Sequence, residues 1–126
     1  MLLILEVPGN APMFDELQAV PLGVVSTPTY RSKAAGDTRS IVVYTPPGYN
    51  AAKSAKLPAL YLLHGSGDDE TGWSAFGRAH RIADNPVAHG AMNPMIIVMP
   101  NGRAYQPGEA AGCTAKWLTS LRRSGP

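Results

Sequence analysis

Two stretches in the first half of the chain are rich in β-branched and aromatic residues. Residues 23–30 and 39–45 contain Val, Thr, Ile and Tyr, and the segment 33–37 between them reads Lys-Ala-Ala-Gly-Asp. Such residues favour strands, and a Gly-Asp pair favours a tight turn. The pattern predicts a β-hairpin. Residues 1–22, which mix short apolar pieces with proline and glycine, predict an irregular lead-in to it.

A strand, a helix and a second strand are predicted after the hairpin. Residues 57–63 and 95–99 are almost continuously apolar, which is typical of strands covered on both faces in a parallel sheet. Between residues 71 and 89, apolar residues recur every three or four positions, as on one face of a helix. Asn85-Pro86 is expected to interrupt this helix or to begin another turn, with Asn85 as the cap. Together these elements predict a βαβ unit.

The last part of the chain, residues 104–126, is rich in small residues and predicts no further strand. A parallel sheet with one crossover has unpaired edges and an uncovered face, which makes a poor independent α/β domain. The pattern therefore predicts that the chain is cut short. It divides into the lead-in, an α/β part over residues 23–103 and a divergent tail. Bare sheet edges also make self-association an expectation.

Composition and charge narrow the class of partner. Hydrophobic residues make up 44% of the 126-residue chain and charged residues 16%, as in one globular domain. Eleven Lys and Arg against nine Asp and Glu give a net charge of +2 without a basic stripe, so nucleic acid is not an expected partner. The apolar residues 2–5 are followed by Glu6 and are too few for a membrane span or a convincing signal peptide. Cys113, the single cysteine, can form neither an intrachain disulfide nor a multi-thiolate zinc site.

Three ordered motifs carry a family resemblance. Residues 44–49 read Tyr-Thr-Pro-Pro-Gly-Tyr, residues 60–68 read Leu-Tyr-Leu-Leu-His-Gly-Ser-Gly-Asp, and residues 95–102 read Met-Ile-Ile-Val-Met-Pro-Asn-Gly, with Trp73 after the second motif. The motifs resemble the putative-esterase family of α/β-hydrolases, which includes feruloyl and acetyl-xylan esterases, enterochelin-esterase-like proteins and S-formylglutathione hydrolase. The resemblance covers roughly residues 23–103 and is nearest to the feruloyl-esterase-like branch. It implies that the chain is the N-terminal part of an α/β-hydrolase sheet.

The resemblance also implies a mechanism. Members of this fold hydrolyse carboxylic esters with a Ser-His-Asp/Glu triad, the serine lying in a G-x-S-x-G elbow. None of the serines of this chain stands in that motif. The acid and the histidine follow the serine in this fold, so the triad is expected to lie beyond this sequence. The family implies a small-molecule or carbohydrate ester as substrate, no cofactor and no metal. It also makes secretion or a periplasmic location an expectation, although no signal peptide is identified.

The catalytic element that the resemblance does place in this chain is the loop of residues 64–67. A backbone N–H aimed at the substrate carbonyl oxygen can stabilise the transition state of acyl transfer by about 3–4 kcal/mol. The amide of Ser66 is the expected donor and that of Gly67 the second, while Gly65 is expected to allow the sharp turn. His64 is expected to be structural, its ring bonding to nearby backbone. The alternative is a plain strand-to-helix turn in which the glycines serve only the backbone conformation.

Trp73, two histidines and an acidic segment are further residues to which a role can be assigned from the sequence. Trp73 is a candidate for lining the substrate pocket, or else a core residue in phase with Phe76 on the helix. His80 and His89 are expected to be exposed or to cap the helix. Residues 68–70, Asp-Asp-Glu, are expected to be solvated charges at the helix start, because three consecutive side chains do not converge easily on a cation.

The leading hypothesis is that the chain is the N-terminal portion of a serine carboxylic-ester hydrolase acting on acylated sugars or related plant-wall esters, and that it is inactive alone. The alternative is a non-catalytic product of a truncated or frameshifted reading frame, with a binding role or none. The change of composition after Arg103 favours the alternative. The coding DNA separates the two hypotheses, because a frameshift near codon 104 leaves a G-x-S-x-G motif readable in another frame.

Overall fold

The structure is a computed structural model, and it describes residues 5, 7, 9, 12–33, 35–51 and 56–103. The predicted tail over residues 104–126, with Cys113, lies outside the described residues. Within them, no helix is both long and apolar enough to cross a bilayer. The elements in chain order are β1 (Val24–Ser26), β2 (Thr29–Ser32), β3 (Asp37–Thr45), β4 (Ala59–Tyr61), α1 (Gly72–Ala75), α2 (Ala79–Ala88) and β5 (Ile96–Pro100).

The predicted β-hairpin is confirmed, with an interruption in its first arm. Strands β1 and β2 both pair antiparallel with β3, and they are separated by Thr27 and Pro28. Proline has no N–H to donate to a ladder, so the single predicted strand is divided in two. The turn between the arms falls where it was expected, and Gly36 has a φ of +68° there.

The strands form one mixed sheet in the order β1-β3-β5-β4, with β2 also paired to β3. Strand β5 is antiparallel to β3 and parallel to β4. The chain passes from β4 through the two helices to β5, so the predicted βαβ unit is confirmed. The loops that follow β4 and β5 therefore meet at the same edge of the sheet, where ligands bind in open α/β folds.

Helix α2 covers one face of the central strands. Opposed pairs across β3 and β5, Val42 with Met99 and Tyr44 with Ile97, are buried and share that face. The helix packs on them through alanines one turn apart, whose small side chains allow a close approach. The core cluster contains Val42, Tyr44, Ala79, Ala83, Ile97 and Met99.

A buried carboxylate supports the core beneath α2. Asp84 is 1% exposed, and its Oδ1 accepts hydrogen bonds from the Tyr44 hydroxyl and from the Gly23 amide, each at 2.8 Å. Burial and the bond to Asp84 raise the pKa of Tyr44 far above its usual value, so the phenol stays protonated as the donor. Gly23 is required by space, because a Cβ there would lie 2.3 Å from the Tyr44 ring.

Tyr44→Phe is expected to lower the free energy of unfolding by about 1.5–3 kcal/mol, because it leaves the buried Asp84 carboxylate with one donor fewer. Urea unfolding followed by far-UV circular dichroism measures this. The matched control is Tyr61→Phe, at a tyrosine that is 66% exposed, with an expected change within about 0.5 kcal/mol. Equal effects of the two substitutions would contradict the role assigned to Asp84.

The prediction that residues 57–63 form a strand covered on both faces is wrong. Strand β4 spans three residues and all three are exposed. In the part of the chain that the structure describes, β4 is the edge of the sheet beyond β5, so nothing covers or pairs its outer side. Leu62 does pack against the core, and its amide extends the ladder to the Val98 carbonyl. Self-association through this edge stays a prediction.

The single predicted helix over residues 71–89 is two helices, and the break is not at Asn85-Pro86. It falls between α1 and α2, where Arg78 has a φ of +50° and where a Cβ on Gly77 would lie 2.8 Å from the Trp73 ring. Helix α2 continues through Pro86. Asn85 is not a cap, since it lies buried within the helix and its Nδ2 donates to the Phe14 carbonyl.

The described residues before β1 form no helix or strand, and several of them contact α2. Asn85 Nδ2 also donates to the Glu16 carbonyl, at 3.0 Å, and Arg78 forms an ion pair with Asp15 at 3.3 Å. His89 is exposed, as expected, with its Nε2 at 3.3 Å from Gln18 Oε1.

His80 departs from its expected exposed or capping position. Its ring is partly buried, and among the described residues Nδ1 has no hydrogen-bond partner. Burial and the positive charge of Arg81 lower the pKa of His80, while the negative charge of Asp84 opposes the shift.

Candidate functional site

The loop of residues 64–67 follows β4 at the edge of the sheet where β4 and β5 both end. Ser66 and Gly67 are exposed there, and the Asp68 amide closes the turn onto the Gly65 carbonyl at 3.3 Å. Gly67 has a φ of +91°, a conformation that favours glycine. Gly65 does not have a positive φ, and a Cβ there would meet nothing within 4 Å. The sharp turn expected of Gly65 is therefore made by Gly67.

The His64 ring is held between two backbone groups. Its Nε2 accepts the Gly102 amide at 2.9 Å, so the ring proton lies on Nδ1, which is 2.8 Å from the Gly65 carbonyl. A nitrogen that already accepts a backbone N–H cannot at the same time take a proton from a nucleophile. The ring instead joins the start of the loop to the segment that follows β5.

Among the described residues, two of the three acidic residues after the loop form hydrogen bonds only within their own turn. Asp68 Oδ1 accepts the Asp69 amide, and Asp69 Oδ1 accepts the Thr71 amide at 2.8 Å and the Thr71 hydroxyl at 2.6 Å. The bonds from Thr71 hold the pKa of Asp69 below its usual value. Among the described residues, no group of three or more His, Cys, Asp or Glu side chains is placed to hold a metal ion.

The expectation that residues 68–70 are all solvated charges is wrong for Glu70. Its Oε1 accepts the Ser40 hydroxyl, from β3, and its Oε2 accepts Asn101 Nδ2 at 2.7 Å. The bond from Ser40 is the main cause that holds the pKa of Glu70 below its usual value. The side chain is partly buried between the loop and the ends of two strands.

Asn101, directly after β5, is the central residue of a polar cluster that also contains Arg39, Ser40, Glu70 and Arg103. Its Oδ1 accepts the Arg103 amide at 3.0 Å and Arg39 Nη2 at 3.1 Å, and the same Arg39 nitrogen donates to the Asn101 and Arg103 carbonyls. Asn101 belongs to the third family motif, at the end of an apolar strand, and from the sequence its side chain is assigned no role. The cluster borders a cleft of about 480 Å³ lined by Ala35, Asp37, Thr38, Arg39, Ser40, Asn101 and Arg103.

Trp73 lies next to the loop and is not a core residue. Its side chain is exposed over two-fifths of its surface, and the indole N–H donates to the Leu63 carbonyl at 2.9 Å. The interpretation of Trp73 as part of the core is therefore wrong. The ring instead fixes the backbone where β4 passes into the loop.

Glu70 predicts an acid-sensitive contribution to stability. Because the folded-state pKa of Glu70 is lowered, its contribution is complete above the unfolded-state pKa of about 4.3 and is lost as the pH falls through the folded-state value. Glu70→Gln removes this titration, so the free energy of unfolding is expected to fall less steeply on the acid side than in the unmodified chain. Urea unfolding at several pH values between about 7 and 2 measures the two slopes.

The residual acid dependence in that experiment is assigned in part to Asp69, whose pKa is also lowered. Adding Asp69→Asn is expected to flatten the curve further. Parallel curves for the Glu70→Gln variant and the unmodified chain would contradict the bonding of Glu70 described above.

The mixed sheet, with a glycine-rich loop at the end of a parallel strand, belongs to the α/β-hydrolase fold. The solved CE1 ferulic acid esterase of Anaeromyces mucronatus, in complex with ferulic acid, is 30% identical to this chain with a TM-score of 0.70, over 86% of this chain and 40% of that one. The feruloyl esterase module of Clostridium thermocellum, complexed with sinapinate, is 27% identical with a TM-score of 0.66, over 89% of this chain and 37% of that one.

The sequence comparisons give the family. The family described as Putative esterase matches residues 32–124, so the chain belongs to it. An endo-1,4-beta-xylanase/feruloyl esterase of Xylanibacter ruminicola is 39% identical over 83 residues, which are 64% of this chain and 11% of that protein. The chain thus spans about two-fifths of the solved ferulic acid esterase and about a tenth of the xylanase/esterase. The family resemblance stated from the motifs is confirmed.

Proposed function

We propose that this chain is the N-terminal portion of a serine carboxylic-ester hydrolase of the feruloyl esterase type, and that it contributes the oxyanion loop. The observation that carries the proposal is the turn at Ser66 and Gly67. It is exposed at the edge of the sheet where both parallel strands end, and its start is held by the His64 ring. Backbone amides in such a turn are suited to bind the oxygen of a tetrahedral intermediate.

The proposed substrate class is esters of hydroxycinnamic acids with carbohydrates. This is supported by the ferulic acid and sinapinate in the two solved relatives, and by the xylanase/feruloyl esterase name of the Xylanibacter ruminicola protein. Trp73 is proposed to line the pocket, since it is exposed next to the loop. The serine, the acid and the histidine of the triad would have to come from sequence outside these 126 residues, because no serine here lies in G-x-S-x-G.

The experiment that tests the proposal fuses residues 1–103 to the C-terminal part of the Anaeromyces mucronatus esterase. The fusion is expected to hydrolyse methyl ferulate, and replacement of its elbow serine by alanine is expected to abolish turnover. A soluble, folded fusion without hydrolysis would contradict the proposal. The boundaries at residues 23 and 103 and an exported location remain predictions.

The second candidate is a non-catalytic product of a shortened or frameshifted reading frame. The observation behind it is the change of composition in the sequence after Arg103. Sequencing the coding DNA beyond codon 104 distinguishes the candidates. A G-x-S-x-G motif in the same frame supports the esterase, and a motif in a shifted frame supports the second candidate. Absence of the motif from all frames would contradict the esterase proposal and the frameshift alike.

A further inference from the structure

Glu70 connects the proposed oxyanion loop to two neighbouring strands. It lies three residues after Gly67, and its two carboxylate oxygens accept from Ser40 and Asn101, which are 30 and 31 residues away in sequence. Within the described part of the chain, the acidic residues just before it, Asp68 and Asp69, accept hydrogen bonds only from their own turn. Glu70 thus differs from its neighbours by fixing the loop to the body of the sheet.

The register of the sheet explains why both donors converge on one carboxylate. Strands β3 and β5 are antiparallel, and their ladder ends at Ile41 opposite Pro100, so Ser40 and Asn101 directly adjoin this last pair. Two donors placed next to each other in this way are close enough to reach the two oxygens of a single carboxylate. The end of this ladder therefore provides two hydrogen-bond donors for the Glu70 carboxylate.

The orientation of the Asn101 amide is also fixed. Its Oδ1 accepts from the Arg103 amide and from Arg39, which leaves Nδ2 to face Glu70. Turning the amide over would place its oxygen against a carboxylate and would lose both of the other bonds. Asn101 Nδ2 is thus oriented towards Glu70 by hydrogen bonds in which Glu70 takes no part.

The loop is consequently anchored at both ends. At its start, the His64 ring accepts a hydrogen bond from the Gly102 amide. At its end, the Glu70 carboxylate accepts hydrogen bonds from Ser40 and Asn101. Between these anchors lies the turn closed by the Asp68 amide on the Gly65 carbonyl at 3.3 Å, which is a long bond. Anchors at both ends therefore restrict the movement of the backbone between them.

We infer that Glu70 is a positioning residue: its hydrogen bonds from Ser40 and Asn101 hold the backbone amides of Ser66 and Gly67 in place. The inference rests on the proposed function of that turn. Stabilisation of an oxyanion requires donors that are already in place, so the rigidity of the turn matters as much as its shape. Glu70 acts here through the backbone of its loop and touches no reacting atom.

The test measures the rigidity of the loop directly, in the 126-residue chain and without any ester. Amide order parameters from ¹⁵N relaxation are compared between the unmodified chain and Glu70→Ala. Those of Ser66 and Gly67 are expected to fall from about 0.85 to below about 0.6, while those of β3 and β5 stay unchanged. Unchanged order parameters at Ser66 and Gly67 in a folded variant would overturn the inference.

A conservative variant and a charge control sharpen the result. Glu70→Gln is expected to restore most of the rigidity, because its oxygen can accept from Asn101 while its NH2 donates to the Ser40 hydroxyl. Asp69→Asn, which also removes one negative charge from this loop, is expected to leave Ser66 and Gly67 rigid. A Glu70→Gln variant as loose as Glu70→Ala, or equal loosening by Asp69→Asn, would overturn the inference.

Two further measurements keep the test decisive. If Glu70→Ala does not fold, Ser40→Ala removes one of the two bonds from outside the loop, and unchanged order parameters at Ser66 and Gly67 would then overturn the inference. The relaxation data also separate this inference from the proposed function. Loosening of the turn by Glu70→Ala supports the positioning role even if hydrolysis by the fusion proves insensitive to Ser66→Pro, a result that would contradict the oxyanion function alone.

Discussion

The 126-residue chain, purified alone, is expected to leave an activated aryl acetate unhydrolysed above a heat-treated control and to bind no fluorophosphonate on any serine. No serine lies in a G-x-S-x-G elbow, so neither the strained nucleophile nor the amide that follows it is present. In a comparable hydrolase, loss of the nucleophile or of the base lowers kcat by about a million-fold. The proposed oxyanion amides alone cannot replace that loss.

The structure adds a second reason for this expectation. The loop that would carry the oxyanion donors follows β4, which is a three-residue edge strand in the described part of the chain and has all its residues exposed. Tyr61 in this strand is 66% exposed. Catalysis needs the substrate carbonyl held within about 0.5 Å of its productive place against the donors, and an uncovered edge strand leaves one side of that place open.

The measurement needs a positive and a negative control. A serine esterase of the same family, assayed at the same concentration, must be labelled and must turn over the substrate. The chain after heat treatment sets the background of acyl transfer to surface nucleophiles. Stoichiometric labelling of any serine, together with turnover above that background, would contradict the expectation and would identify a nucleophile outside the elbow motif.

The fold was predictable where local pattern and tertiary environment agree. The hairpin follows from β-branched residues on both sides of a Gly-Asp turn, and the βαβ unit from two apolar runs around a helical period. The same logic failed at Pro86, because the loss of one helical N–H does not end a helix that the rest of the fold supports. It also failed at residues 57–63, since an apolar run shows which residues favour burial but not whether another layer covers them.

The site was predictable only in its local part. The sequence points to the loop of residues 64–67 because a glycine-rich segment follows an apolar strand, and the family motif includes it. The hydrogen bonds of Glu70 depend on Ser40 and Asn101 adjoining the last pair of the β3–β5 ladder, and register is a property of strand pairing that one sequence does not show. Because its partners are distant in sequence, Glu70 was interpreted from its position before a helix as a solvated charge.

Ser66→Pro is expected to lower kcat for methyl ferulate by about 100-fold or more in the active fusion described above, with a much smaller effect on KM. Proline has no backbone N–H, so the substitution removes the proposed first oxyanion donor, and one such donor is worth about 100- to 1,000-fold in kcat. The donor acts on charge that develops in the transition state, which is why the loss falls on kcat.

Ser66→Ala is the matched control, because it keeps the amide and removes only the hydroxyl. Its activity is expected to stay within a few-fold of the parent fusion. Both variants must keep the far-UV circular dichroism and the melting temperature of the parent, since proline also restricts the residue before it, Gly65. Gly65 has no Cβ and can accommodate that restriction. If Ser66→Ala abolishes turnover in a folded fusion, the hydroxyl takes part in the chemistry and the backbone assignment is wrong. If Ser66→Pro keeps full activity, the donors of the oxyanion hole lie elsewhere.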